Sequence, residues 1–113
     1  MGVVGTIPVA RGDVYLVDLS PARGGEIRKA RPCVVVSPDE LNTHLRTFIV
    51  APLTSGQHAY PFRIACRFRN RSGHVVLDQI RTIDRERLVR SLGRLPNRTM
   101  RRVLAVVQEM FAP

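Results

Sequence analysis

What most constrains this chain is the crowding of short β-branched and apolar runs between residues 13 and 95. Six follow one another: 13–19 (DVYLVDL), 32–36 (PCVVV), 47–51 (TFIVA), 61–68 (PFRIACRF), 75–83 (VVLDQIRTI) and 88–95 (LVRSLGRL). Each has strand length, and turn residues stand between them. Strands so short and so closely spaced point to a small, strongly curved barrel or sheet capped by helices. Ser20-Pro21 closes the first run. The run 32–36 is continuously apolar, the mark of a buried strand with Pro32 at its first residue. Pro52 stops the third. In 61–68, Phe62, Ile64, Cys66 and Phe68 alternate with Arg63, Ala65 and Arg67, which predicts a half-exposed strand with a basic outer face. Residues 70–73 and 84–86 read as turns, and 22–30 (ARGGEIRKA) as a flexible loop.

Two stretches depart from this pattern. Ser37-Pro38-Asp39-Glu40 has the grammar of a helix start, with an N-cap, a first-position proline and Glu three residues after the cap. The helix it predicts is short and ends near His44. From 97 to 111, Met100, Val103, Leu104, Val107, Met110 and Phe111 recur at three- and four-residue spacing, the apolar stripe of an amphipathic helix. The fold class expected is therefore α+β, mainly β.

A length of 113 residues is one domain's worth. Residues 1–10 read as an N-terminal leader and 11–113 as a single domain. With 44% hydrophobic and 24% charged residues the composition is globular. No apolar run approaches the ~20 residues of a membrane span, which excludes an integral membrane protein. The formal net charge is +9, and of the 18 basic residues only Lys29 is a lysine. Arginine's rigid fork of donors matches phosphate. Such a charge points first to nucleic acid, then to an acidic protein, then to anionic lipid.

Cys33 and Cys66 lack C-x-x-C spacing and read as buried thiols in a reducing compartment, consistent with a cytoplasmic protein. With His44, His58 and His74 scattered, neither a metal site nor a histidine pair is expected. No G-x-x-x-x-G-K-S/T, G-x-S-x-G or H-E-x-x-H string occurs, so nucleotide hydrolases, serine hydrolases and zincins lose their best evidence. Arg31 stands between the glycine loop and the buried strand, placed either to meet a phosphate or to form a structural salt bridge. Thr54 lies at the same rim if the strands are neighbours. Glu26 is the loop's only carboxylate, and Tyr60 offers a face on which a base could stack.

Five strings in series, RGDVYLVDLSPARGGE, RPCVVVS, APLTS, YPF and VVLDQIRTI, resemble the MazF/PemK family of toxin–antitoxin ribonucleases, in the family's order and spacing. The resemblance runs from about Arg11 to Phe111. It implies a small Src-homology-3-like β-barrel with a short inserted helix and a C-terminal helix, the plasmid-toxin (CcdB/PemK-like) fold. It also implies a homodimer that cleaves single-stranded RNA without metal or other cofactor. The implied partner is an antitoxin whose acidic, disordered tail fills the RNA groove. By the same resemblance Arg31 and Thr54 form the catalytic pair, with Glu26 as a candidate base. RNA contacts would come from Arg23, Gly24, Gly25, Arg28 and Lys29 of the loop, and from Ser55, Tyr60, Gln79 and Arg81. Related barrels of the CcdB type poison gyrase without cutting RNA, and a small barrel can also bind nucleic acid without catalysis. The pair Arg31 and Thr54, with the basic loop, favours the ribonuclease. Arg98, Arg101 and Arg102 crowd the first turns of the last helix, where the macrodipole disfavours cations, which predicts that they face RNA or an acidic partner.

Overall fold

The computed structural model describes residues 8–27, 29–56 and 60–113. In chain order the elements are β1 (Asp13–Asp18), β2 (Ala30–Val35), α1 (Asp39–Asn42), β3 (Thr47–Thr54), β4 (Arg63–Phe68), β5 (Arg71–Val76), β6 (Arg81–Asp84), β7 (Leu88–Arg94) and α2 (Asn97–Met110). All strand pairs are antiparallel, and the main path runs β4-β5-β3-β2-β1-β7. β3 is the spine. One of its edges carries β2, and the other is shared, with Thr47–Val50 on β6 and Leu53–Thr54 on β5.

The valine run of β2 is continuously apolar because both of its faces are covered. Val34 and Val36 join Val14, Ala51, Leu53, Ile64, Val75 and, from α2, Met100 and Val103 in one core. Cys33 and Val35 join Tyr15, Val17, Phe48, Val50 and Ile83 in a second core on the opposite face. The sheet curls between them. Register shifts at Val14/Tyr15 and Leu16/Val17 bend β1 against β7. The two ends of the path meet, since a Cβ built on Gly93 of β7 would touch the Phe68 ring of β4 at 3.7 Å. This is the expected small, mainly β fold with an inserted and a C-terminal helix.

Several local expectations are corrected. β3 does not stop at Pro52 but continues to Thr54. Pro52 falls where that edge changes partner from β6 to β5, a place at which a residue without an N–H is tolerated. Similarly, β2 starts at Ala30, so Pro32 is inside it rather than at its first residue. The run 75–83 is not one strand: a 3-10 turn at Leu77–Gln79 divides β5 from β6. The turn expected at 70–73 is Arg69-Asn70, both at positive φ (52° and 64°), as a tight hairpin connection requires. Ser37 does not cap α1; Pro38 holds that position. The buried Ser37 hydroxyl instead donates to Asn42 Oδ1 (2.6 Å) and accepts from the Ile49 amide (3.1 Å). In α2 the apolar stripe packs as expected except at Phe111, which follows the helix and is 70% exposed. Of the expected leader, Val9 is buried in the second core and the Ala10 amide donates to Asp13, while residues 1–7 lie outside the described residues.

Candidate active site

At their far ends the central strands leave the second core but keep its register. The pairs Cys33↔Pro52 and Val34↔Ala51, continued by two residues, set Arg31 opposite Thr54. Thr54 in turn pairs with His74, and His74 with Ala65. Directly opposed residues share a face. Arg31, Thr54 and His74 therefore form one row across β2, β3 and β5, on the face that farther along holds Cys33, Val35, Phe48 and Val50. There the face is open, and polar side chains replace the apolar ones.

The β3–β5 pairing at this row is tight. A Cβ on Gly73 would lie 1.8 Å from the Thr54 carbonyl oxygen, so any larger residue would force the backbone of β3 to shift. His74 Nδ1 lies 2.9 Å from the Gly56 carbonyl oxygen. A carbonyl can only accept, so Nδ1 carries the hydrogen and the residues after Thr54 are tied to β5.

The loop between β1 and β2 covers the other side of the row. Gly24 takes a positive φ (57°), and Glu26 closes its own turn: its amide donates to the Arg23 carbonyl (3.0 Å), and its Oε1 accepts from the Arg23 amide (2.6 Å). Gln79, on the 3-10 turn between β5 and β6, grips the loop from below. Its Oε1 accepts from the Ile27 amide (2.8 Å), and its Nε2 donates to the Gly25 carbonyl (3.4 Å).

Two hollows result. One, of about 440 Å³, is lined by Gly25, Glu26, Ile27, Arg31, Thr54, Ser55 and Gly56. The other, of about 460 Å³, includes Glu26, Asp78, Gln79 and Arg81. The Asp78 carboxyl is held below the usual carboxylate range by paired hydrogen bonds from Arg63 (2.8 and 2.9 Å). The Cys33 thiol at the floor of β2 is pushed by burial up to about 12, so it is inert at neutral pH.

The structure thus gathers Glu26, Gly25, Arg31, Thr54, Ser55, Gln79 and Arg81 around one groove. Arg23, Gly24 and Lys29 lie on the exposed loop above it. Tyr60 stands apart, half-exposed, with the Arg63 guanidinium 4.7 Å from its ring centroid. Arg28 and His58 lie outside the described residues. Two residues, His74 of the row and Gly73 beside it, are not visible in the sequence as parts of a site. Gly73 looked like a turn and His74 like an isolated histidine, because only strand register brings them to Thr54.

The class of protein here is a small, curved antiparallel barrel with an arginine and a threonine hydroxyl lining one open hollow, and comparison with known proteins narrows it. A family model described as the PemK-like, MazF-like toxin of type II toxin–antitoxin systems matches residues 10–111. Endoribonuclease MazF of Staphylococcus epidermidis is 37% identical over 90 residues, covering 74% of this chain and 75% of that protein. Among solved structures, MazF from Deinococcus radiodurans superposes with a TM-score of 0.80 at 25% identity, covering 92% of this chain and 96% of that one. A mycobacterial endoribonuclease in complex with its cognate antitoxin superposes with a TM-score of 0.76 at 26% identity, covering 93% and 97%. The chain belongs to the PemK/MazF family of type II toxin–antitoxin toxins. Among the described residues, no helix is long and apolar enough to cross a membrane.

Proposed function

We propose that this toxin is a sequence-specific endoribonuclease that cleaves single-stranded RNA, messenger RNA foremost, without a metal ion, and so inhibits translation and growth. The observation that carries this reading is that Arg31, on β2, and Thr54, at the end of β3, line one open hollow. The endoribonuclease name of the staphylococcal relative supports it.

The reaction uses the RNA's own 2′-hydroxyl. Its oxygen bonds to the adjacent phosphorus, the bond to the 5′-oxygen breaks, and the products are a 2′,3′-cyclic phosphate and a 5′-hydroxyl. The guanidinium of Arg31 stays protonated and offers a planar fork to the charge that builds on the phosphate. The Thr54 hydroxyl hydrogen-bonds the same phosphate. Glu26 brings a carboxylate to the groove's edge, one oxygen of which is engaged by the Arg23 amide. Gln79 and Arg81 line the neighbouring hollow, where the nucleotides next to the cut would lie.

In the same reading the protein acts in the cytoplasm as a homodimer, and an antitoxin with an acidic, disordered tail competes with RNA for the groove. The antitoxin complex of the mycobacterial relative supports that partner. The test is cleavage of a long single-stranded RNA by purified, antitoxin-free protein in EDTA. Wild type should cut, and Arg31→Ala should be slower by ~100- to 1000-fold with an unchanged circular dichroism spectrum. A substrate with a 2′-deoxy sugar at the cleaved position should resist. A folded wild type that leaves RNA intact would sink the reading and point to a gyrase poison or a non-catalytic binding barrel.

A further inference from the structure

Transfer of the 2′-hydroxyl's proton needs an acceptor that neither member of the pair supplies. Arg31 keeps its protons, a threonine hydroxyl is a weak base, and one Glu26 oxygen is already bonded to the loop it belongs to. We infer that His74 is a third catalytic residue, the base that takes this proton; the inference rests on the ribonuclease reading above.

Three observations converge on it. His74 is the Cα partner of Thr54, so the two side chains leave the same face of adjacent strands. Antiparallel neighbours lie ~4.8 Å apart, which brings a phosphate held between Arg31 and Thr54 within reach of a side chain one strand further on. The bond from Nδ1 to the Gly56 carbonyl fixes the tautomer and leaves the lone pair on Nε2. Finally, His74 lines a hollow with Ala65, Ser72 and Gly56, and Gly56 also lines the hollow of Arg31 and Thr54, so the two spaces adjoin. The charged groups on this face are Arg63 and Arg67, which flank Ala65 on β4, and Arg31 beyond Thr54; Arg63 is committed to Asp78. The surroundings are cationic, and a phosphate entering the row would offset them.

The step balances without any co-reactant. Nε2 takes the 2′-hydroxyl's proton as that oxygen bonds to phosphorus. The bond to the 5′-oxygen breaks with its electron pair, and the 5′-oxygen takes a proton from water in the open groove. The imidazolium then returns its proton to solvent.

Two substitutions separate this role from a structural one. His74→Asn keeps a donor near Nδ1 for the Gly56 carbonyl, and His74→Gln places an amide near Nε2; neither can accept the proton. Both should cut RNA ~100- to 10,000-fold more slowly than wild type. His74→Asn, which keeps the tie to Gly56, should also bind a 2′-deoxy-blocked RNA within about twofold of wild type and keep its thermal midpoint, since the hydroxyl it fails to deprotonate takes no part in binding, whereas His74→Gln gives up that tie and is read for cleavage alone. Wild-type cleavage rates in either variant would overturn the assignment, and full recovery in His74→Asn alone would reduce His74 to a strut for Gly56. Wild-type protein assayed alongside in EDTA keeps the two readings apart. If wild type does not cut, the ribonuclease reading fails; if both wild type and His74→Asn cut equally, only the role of His74 does.

Discussion

One face of the β2–β3 pair carries two unlike regions. At one end Cys33, Val35, Phe48 and Val50 are fully buried against Val17 and Ile83. At the other, Arg31 and Thr54 continue the same register into an open groove. Nothing in the backbone marks the change; what changes is the cover. β6, which pairs with the first half of β3, gives way to β5, and β5 supports the second half at only two residues. The proposed site begins where the strands emerge from the core, so the packed end serves as its rigid mount.

The largest effect should come from breaking the mount. Phe48→Ala removes a fully buried ring and should cost about 3–5 kcal/mol of stability, read by urea unfolding. Arg31→Ala, on the same face but outside the core, should leave the unfolding midpoint in place. A smaller effect is expected at the join between the regions. Gly73→Ala drives a methyl into the Thr54 carbonyl and should cost about 1–3 kcal/mol, with cleavage falling further than the lost stability accounts for, because Thr54 itself must move. Activity measured well below the variant's melting temperature separates the two losses. The smallest lies in the loop. Gln79→Ala removes its two bonds to Gly25 and Ile27, worth about 0.5–1.5 kcal/mol each, and should raise KM for RNA by about tenfold with the fold intact. An unchanged KM would show that the loop holds its position without Gln79.

The fold was legible where a periodicity belonged to a single element. The stripe from Met100 to Met110 reads as a helix because its spacing is local, and the unbroken valines of β2 read as buried because two covered faces leave no polar position. The fold is not legible where the deciding contact is remote in sequence. Leu77–Gln79 has the composition of a strand, and only the exchange of β5 for β6 along β3 forces the turn there. Pro52 is a strand breaker by its own chemistry but is accommodated at that exchange. Ser37 looks like a cap until the Ile49 amide, twelve residues on, is seen to donate to its hydroxyl oxygen. The site divides the same way. Arg31 and Thr54 came from motif resemblance, whereas nothing in the spacing of His74 or Gly73 reveals which residue each will oppose.

The row drawn from three strands also bears on synthesis. Arg31 and Thr54 are 23 residues apart and Thr54 and His74 a further 20, so no short fragment contains the arrangement. Their alignment depends on β3 pairing with β2 and, at its far end, with β5. A chain still emerging from the ribosome has its reactive groups in place along the polypeptide well before they are in place in space. Until β5 has joined the sheet, such a chain carries the residues of the proposed site without the row that brings them together.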